Sequence, residues 1–365
     1  GTLPRVLLAP VAGVIADRFN RRRIMLLADS GDALVTAIAA VLLFSGQLAV
    51  WHIYLIALAS STFSAFQQPA YSASVTMLVP KEQLARAGGF LQMGHSLEAL
   101  LTPVASGALF ALIGINGIIV IDLVTYSFAI IALLLVRIPQ PARSVESEEE
   151  SKQPMLKQAG FGWNYLRQRP GLFWMLWYFA SMNFFLNLAA ILSLPLVLSF
   201  AGPTEAGLVG SIGGAAALVG SLVMSAWGGP KERRVPPMIV FIALCGLGFL
   251  FTGLQESLFF VSLGRGWMMF FIPLASALSQ AVFQTKVAPD VQGRVFSIRM
   301  MISQSIMPLA FLLAGPLADN VFGPLMQPGG ALAGSFLGEW LGTGDGRGIA
   351  LIYVLCFAFI ALFSL

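Results

Sequence analysis

The sequence predicts an all-α membrane protein built from many transmembrane helices. Only 10% of its 365 residues are charged, 57% are hydrophobic, and the mean hydropathy is +0.83. Soluble domains are about one-quarter charged, so this chain cannot cover a water-exposed surface of its own size. Apolar runs of about 20 residues recur along it, and each is long enough to cross the hydrocarbon core of a bilayer as a helix.

Eleven apolar runs are predicted to be membrane segments. They are residues 3–16, 24–45, 51–79, 88–113, 117–138, 172–200, 206–227, 236–254, 257–287, 295–318 and 348–365. The third and ninth are longer than a bilayer requires, which indicates tilt or interfacial turns. We predict a first transmembrane half at residues 1–138, a linker at 139–170 and a second transmembrane half at 171–365.

The linker is the one strongly polar stretch. Its acidic run, residues 146–150, is typical of a solvated connection between domains. Residues 155–169 then mix aromatic and aliphatic side chains with lysine and arginine. This composition predicts an amphipathic helix that lies on the membrane surface before the next segment begins.

Basic residues fix the predicted orientation. When loops are assigned alternately to two sides, all but three of the 21 lysines and arginines fall on one side; the exceptions are Arg5, Arg265 and Arg347. Cytoplasmic loops collect Lys and Arg, so the basic side is predicted to be cytoplasmic. It comprises residues 17–23, 80–87, 139–170, 229–235 and 288–294. The pI near 9.3 thus reports topology in a plasma or inner membrane rather than nucleic-acid binding.

A weak internal repeat relates the two halves. Residues 79–86 and residues 288–294 each open a membrane segment after the same number of segments in their half. With a one-residue gap, Arg86 aligns with Arg294. The repeat predicts two halves of similar construction.

A short basic loop follows the first segment, where residues 13–23 read Gly-Val-Ile-Ala-Asp-Arg-Phe-Asn-Arg-Arg-Arg. It resembles the loop signature between the second and third helices of the major facilitator superfamily. The matching residues are Gly13, Asp17, Arg18, Arg21, Arg22 and Arg23. The positive-inside rule alone explains the arginines but not Asp17, because a carboxylate at a helix C-terminus is disfavoured unless it is paired. Asn20 stands where the family usually has glycine, and asparagine tolerates the left-handed backbone, so we expect the turn to survive.

The resemblance implies a fold of two six-helix halves related by a pseudo-two-fold axis. Since the signature normally follows two helices and only one segment precedes it here, we expect that the family's first helix is lacking and that the last one stops early. The implied mechanism is alternating access. Asp17 would then act as a latch, bound in one state only by the segment N-terminus near residues 293–295 and by loop arginines.

Further resemblances point to a branch of the family. Residues 159–172 and 121–128 are similar to drug exporters related to macrolide and enterobactin exporters. Residues 102–107 resemble a degraded antiporter motif, with Thr102 and Ser106 in place of glycines. Together these resemblances imply efflux of small amphipathic molecules coupled to the proton gradient. They also imply a monomer that needs no cofactor. A lipid or lysophospholipid transporter of the same superfamily, or a non-transporting sensor, are the alternatives.

Charges inside membrane segments are candidate functional residues, because burying each one costs several kcal/mol. Glu98 shares a helix face with His95 and Thr102, and we expect either a proton or cation site or an internally paired carboxylate. Asp122 fits a titrating role or a hydrogen bond between helices. Arg265, between two glycines, fits a carboxylate partner, an anionic substrate group or snorkelling to the outer interface. If Glu98 carries the coupling proton, Glu98→Gln is expected to abolish proton-driven efflux.

Polar pairs on single helix faces complete the candidates. They are Gln67 with Tyr71, Asn183 with Asn187, and Gln280 with Gln284. Such side chains either line a central cavity or hydrogen-bond neighbouring helices.

Other classes of function lack the residues they need. The chain contains no phosphate-binding Gly-x-x-x-x-Gly-Lys-Ser/Thr loop, which excludes ATP hydrolysis within it. Cys245 and Cys356 lie in apolar runs, which excludes a disulfide framework or a Cys-x-x-Cys metal site. With two histidines and no metal-ligand spacing, a membrane-embedded enzyme is not expected.

Overall fold

The computed structural model describes residues 2–140 and 155–364, and every regular element in that part is helical. The acidic run of the linker lies outside the described residues. The helices are α1 (Thr2–Arg18), α2 (Arg21–Phe44), α3 (Val50–Leu78), α4 (Leu84–Leu135), α5 (Met155–Arg167), α6 (Pro170–Leu198), α7 (Pro203–Trp227), α8 (Val235–Leu254), α9 (Leu258–Lys286), α10 (Gln292–Pro316), α11 (Gly323–Met326), α12 (Phe336–Leu341) and α13 (Arg347–Phe363). A π-helical turn, Leu317–Phe322, connects α10 with α11.

Helix positions agree with the apolar runs to within a few residues. Seven helices of the described chain are long and apolar enough to cross a membrane, and Arg347–Phe363 is a shorter apolar helix. The predicted total of eleven spans therefore stays a prediction. The two overlong segments are continuous 29-residue helices, α3 and α9, with Pro69 and Pro273 inside them, so no turn interrupts either one.

Gly114 divides α4 into two stretches. Its backbone has φ 62° and ψ −176°, a combination that a residue with a Cβ rarely adopts. The break falls between the predicted segments 88–113 and 117–138, and the division into two membrane spans stays a prediction.

The turn between α1 and α2 corrects one expectation. Asn20 has φ −63° and ψ 114° and is the N-cap of α2, with its Oδ1 accepting from the Arg23 amide. The turn is present as expected, but Asn20 does not use the left-handed backbone that was given as the reason. An asparagine side chain satisfies an orphan N–H at a helix start, so it is useful here without a positive φ.

The chain forms two compact units. The first comprises Gly1–Lys81, Pro103–Leu176 and Phe283–Ser305. In it α1, α2 and α3 pack on one another around Ala16, Ile24, Met25 and Ala70. The start of α10 belongs to this unit, so residues far apart in sequence meet there.

The second unit comprises Glu82–Thr102, Trp177–Val282 and Ile306–Leu365. Tyr353 of α13 is buried and donates a hydrogen bond to the Ala189 carbonyl of α6 at 2.6 Å. Gly264 of α9 lies so close to α8 that a Cβ there would be 2.5 Å from the Gly248 carbonyl oxygen. The division at residues 1–138, 139–170 and 171–365 stays a prediction, because the units follow contacts rather than sequence order.

Helix α5 packs against protein. The predicted helix is present, but Leu166 is fully buried and Tyr165 is 6% exposed within the first unit. The apolar face of α5 thus covers the start of α10 and neighbouring helices, where lipid had been expected.

Candidate functional site

Asp17 lies in the last turn of α1 and binds the first turn of α10. Its Oδ1 accepts from the Gly293 amide at 2.7 Å, and its Oδ2 accepts from the Arg294 amide at 2.9 Å and from Arg294 Nε at 3.3 Å. The side chains of Asp17 and Arg294 are each 4% exposed. A helix N-terminus presents free N–H groups and a partial positive charge, so this buried carboxylate is matched by its surroundings.

Arg21 closes the other side of the carboxylate. It is fully buried, and its Nη2 lies 3.7 Å from Asp17 Oδ1. Its two terminal nitrogens also donate to the carbonyls of Ala73 at 2.8 Å and Pro289 at 2.5 Å. Arg21 therefore joins α1, α3 and the loop before α10. We call Asp17, Arg21, Gly293 and Arg294 the Asp17 gate, after the role that we propose for these residues below.

Burial raises the pKa of the Asp17 carboxyl to about 6. The Arg294 amide, the charges of Arg294 and Arg21, and the Gly293 amide all oppose the rise. The carboxyl is therefore mostly ionised at pH 7 and takes up a proton near pH 6 in this arrangement.

A glycine pair lets the helices of the gate approach. A Cβ at Gly13 would lie 2.5 Å from Ser297 Oγ and 2.6 Å from the Gly293 carbonyl oxygen. A Cβ at Gly293 would lie 2.7 Å from the Gly13 carbonyl oxygen. Both glycines are required by the close contact of α1 with α10.

Gln292 adds a second link beside the gate, which the sequence analysis missed. Its amide donates to the carbonyls of Gln284 and Val287, and its Oε1 accepts from Thr76 Oγ1 at 2.7 Å. Gln284, a predicted cavity residue, donates to the Ser72 carbonyl at 3.2 Å. The start of α10 is thus tied to α3 as well as to α1.

The other arginines of the signature loop point elsewhere. Arg22 donates to the carbonyls of Leu133 and Leu134 near the end of α4. Arg18 lies 5.9 Å from the Phe19 ring centroid, and the Arg23 amide is held by the Asn20 cap. Of the loop's charged residues, Asp17 and Arg21 are the ones that enter the gate.

The predicted repeat has a counterpart in the second unit. Arg86 donates to the Ala226 carbonyl at 3.0 Å, at the end of α7. Arg294, its partner in the repeat, bonds to the carboxylate at the end of α1. Residues 228–234 have lost the Asp-Arg pair, so Arg86 binds a helix-end carbonyl instead of a carboxylate.

Two carboxylates inside α2 form a polar cluster in the first unit. Asp29 accepts from the amide of Gln67. Asp32, one turn later, accepts from Ser60 Oγ and from Tyr126 Oη, the latter at 2.8 Å. Neither aspartate was predicted from the sequence, although the cost of a charge inside the membrane was the available signal.

Asp122 extends the same cluster. Thr36 Oγ1 donates to its Oδ2 at 3.3 Å, and Tyr126 is one turn further along α4. Within the residues that the structure describes, none of these three aspartates forms an ion pair. Neutral hydroxyl and amide donors hold them instead.

The remaining predicted candidates lie apart from these two sites. His95 and Glu98 of α4 pair at 3.6 Å with side chains 70% and 73% exposed. Asn183 and Asn187 each donate to the carbonyl four residues earlier in α6. Tyr71 is 38% exposed, and Gln280 is half-buried in α9.

Arg265 is distinctive among the basic residues of the second unit. Its Nε is buried without a hydrogen-bond partner in the described chain, and it lies against Gly213 of α7, where a Cβ would be 3.0 Å away. It forms no ion pair with the described carboxylates, so the predicted carboxylate partner is not found there.

The described chain is helical, has apolar helices long enough to cross a membrane, and has a signature loop whose Asp17 binds the N-terminus of α10. These features define a multi-pass membrane transporter. The family model of the Major Facilitator Superfamily matches residues 2–311. The chain therefore belongs to the Major Facilitator Superfamily, whose members are transporters rather than enzymes.

Several relatives are exporters by name. The chain is 28% identical over 326 residues to macrolide efflux protein A of Streptococcus pyogenes, covering 88% of this chain and 79% of the relative. It is 29% identical over 314 residues to macrolide efflux protein A of Enterococcus faecalis, covering 85% and 96%. The multidrug efflux pump Tap of Mycolicibacterium fortuitum is 25% identical over 334 residues, covering 87% and 79%. The chain is thus similar to drug exporters over most of its length.

Solved structures share the fold. The E. coli fucose:proton symporter FucP has a TM-score of 0.70 at 11% identity, covering 98% of this chain and 86% of that one. The human organic anion transporter MFSD10 has a TM-score of 0.68 at 16% identity, covering 100% and 82%. At these identities the likeness concerns the fold alone.

Proposed function

We propose that this transporter exports small amphipathic molecules of the macrolide kind, that the proton gradient drives it, and that it works by alternating access. The observation that carries the proposal is Asp32, a carboxyl in a membrane helix held by Ser60 and Tyr126 and by no basic residue of the described chain. The names of the relatives support the direction and the substrate kind.

The depth of Asp32 suits a coupling residue. It lies eleven residues into α2, or about 16 Å at 1.5 Å per residue, which is near the middle of a hydrocarbon core of about 30 Å. An unpaired carboxylate there costs several kcal/mol. A charge at this depth therefore requires water or a cationic substrate group beside it.

This requirement suggests how proton and substrate are exchanged. In the proposed cycle a proton neutralises Asp32 while no substrate is bound, and Ser60 and Tyr126 remain its hydrogen-bond partners. A substrate with a protonated amine, bound beside Asp32 and Asp122, stabilises the ionised carboxylates and displaces the proton. Proton and substrate then compete for one site, which is the requirement for antiport.

The Asp17 gate supplies the alternation. α1 and α3 are bound to the start of α10 on the side predicted to be cytoplasmic, and in the proposed cycle this arrangement is the closed gate. Opening separates Asp17 from the Gly293 and Arg294 amides and returns both partners to water. Rocking of the halves would make and break these bonds once per cycle.

Efflux driven by an imposed pH gradient tests the coupling role. In vesicles containing the purified transporter, Asp32→Asn is expected to reduce gradient-driven macrolide transport at least tenfold, because the amide cannot bind and release a proton. Asp319→Asn, the same change in the exposed turn after α10, is the matched control and should transport normally.

Two further variants test which carboxyl group carries the coupling proton. Glu98→Gln is expected to keep gradient-driven transport, because Glu98 is exposed and already paired with His95. Asp122→Asn is expected to weaken substrate binding while leaving proton coupling. Full activity of Asp32→Asn together with loss in Glu98→Gln would move the coupling role to Glu98.

A further inference from the structure

We propose that the linker helix α5 is a working part of the Asp17 gate, in which Phe161 and Gly162 are positioning residues for Arg294. The inference rests on the proposed gate, and it adds a component that belongs to neither transmembrane half. It assigns this helix a role in the conformational equilibrium beyond connecting the two halves.

The contact is made on both the side chain and the backbone of Arg294. Its guanidinium carbon lies 4.4 Å from the centroid of the Phe161 ring, within cation–π distance. A Cβ at Gly162 would lie 2.6 Å from the Arg294 carbonyl oxygen, so the backbone of α5 touches the first turn of α10. Arg294 is therefore enclosed between Asp17 and α5.

Further contacts fix α5 at this place. Tyr165 Oη accepts from the Ala288 amide at 3.4 Å, in the loop before α10. The guanidinium of Arg169 stacks over the Tyr165 ring at 3.5 Å. Tyr165 and Leu166 are buried. These contacts hold the Phe161 ring against one face of the guanidinium.

This arrangement has an energetic consequence for the gate. Arg294 reaches Asp17 through its Nε at 3.3 Å, a longer bond than the two amide bonds. A flexible arginine loses rotamer freedom when it is held there. The Phe161 ring attracts the positive charge of the guanidinium and holds it in the orientation that faces Asp17. Less conformational entropy is then lost when the gate closes.

Gate opening can be read from a cysteine at position 297. Ser297 is fully buried against Gly13, and its hydroxyl has no hydrogen-bond partner in the described chain, so Ser297→Cys is a mild change. With Cys245 and Cys356 replaced by alanine, the maleimide labelling rate of Ser297→Cys in purified protein reports how often the gate opens.

Phe161→Leu is expected to raise this labelling rate about five-fold, the effect of losing a partly buried cation–π contact of about 1 kcal/mol. Phe161→Trp keeps the ring and should label like the parent protein. Phe173→Leu is the matched control: it removes a ring that packs on Trp163 of α5 at 5.5 Å and should leave the rate unchanged.

A double-mutant cycle with Arg294→Met separates positioning from general packing. If Phe161 acts through Arg294, Phe161→Leu adds less than two-fold to the rate of Arg294→Met. Equal, additive effects in the two backgrounds, or no effect of Phe161→Leu, would overturn the inference. If Arg294→Met itself leaves the rate unchanged, the proposed gate fails instead, so the two failures are distinguishable.

Discussion

Arg294 contacts Asp17 through both its backbone and its side chain, with the amide nitrogen 2.9 Å and Nε 3.3 Å from the same carboxylate oxygen. The backbone bond depends only on where α10 begins, and the side-chain bond depends on the arginine. The two contributions can therefore be separated by mutation, and the first prediction removes the side-chain part.

Arg294→Met keeps the apolar stem and the backbone bond but removes the charge. We expect the maleimide labelling rate of Ser297→Cys to rise about tenfold at pH 7, because a buried charge-assisted hydrogen bond contributes about 1.5 kcal/mol or more. Arg23→Met, in the same loop but outside the gate, is the control and should have no effect.

Asp17→Asn is expected to depress transport about tenfold while leaving membrane insertion intact. Burial makes the ionised carboxyl costly in the closed gate, as its raised pKa shows, and a neutral amide removes that cost. The gate then stays closed and reopens slowly. Transport assays on equal amounts of inserted protein check the prediction, and unchanged transport would refute a gating role for Asp17.

The closed gate should also respond to pH. The Asp17 pKa is about 6 in the closed gate and about 3.9 for an aspartate in water. The closed gate thus binds a proton more tightly than the open one. Lowering the pH from 7 through 6 should stabilise closure, and above pH 7 the carboxyl is ionised in both states.

The pH response can be measured as the labelling rate of Ser297→Cys divided by that of Glu232→Cys, an exposed loop position. The ratio removes the ordinary pH dependence of thiol reactivity. We expect it to fall between pH 7 and pH 5, and to become flat when Asp17→Asn is added. A ratio that rises on acidification would contradict the assignment.

Gly13→Ala is expected to hold the gate open. The added Cβ would meet Ser297 Oγ and the Gly293 backbone at 2.5 and 2.6 Å, and overpacking of this kind costs about 1–3 kcal/mol. Gly207→Ala in α7, where no atom lies within 4 Å of the new Cβ, is the control. Labelling of Ser297→Cys should rise in the first variant only.

The helices and the partner of Asp17 were predictable from sequence for physical reasons. Apolar runs must become helices in a bilayer because no water is present to satisfy the backbone. A carboxylate at the C-terminus of α1 needs a cationic or N–H-rich partner, and the family signature indicated which helix supplies it. The contacts at Gly293 and Arg294 match that expectation in position, while the gating role remains a proposal.

Other features depend on packing that a sequence does not display. Asp29 and Asp32 lie in a helix that is apolar on average, so the two aspartates do not stand out in the sequence. The groups that donate hydrogen bonds to them come from α3 and α4. Thr76 and Gln292 are 216 residues apart, so no local pattern links them. The apolar face of α5 looks the same whether lipid or protein covers it, and the structure shows that protein does.

The most direct test of the account measures drug accumulation in cells that express the transporter. With a panel of macrolides and cationic dyes, we expect lower accumulation than in cells with an empty vector, and we expect a protonophore or Asp32→Asn to restore it. Accumulation equal to that of the empty-vector cells, or export that persists after the proton gradient is collapsed, would contradict a proton-driven exporter.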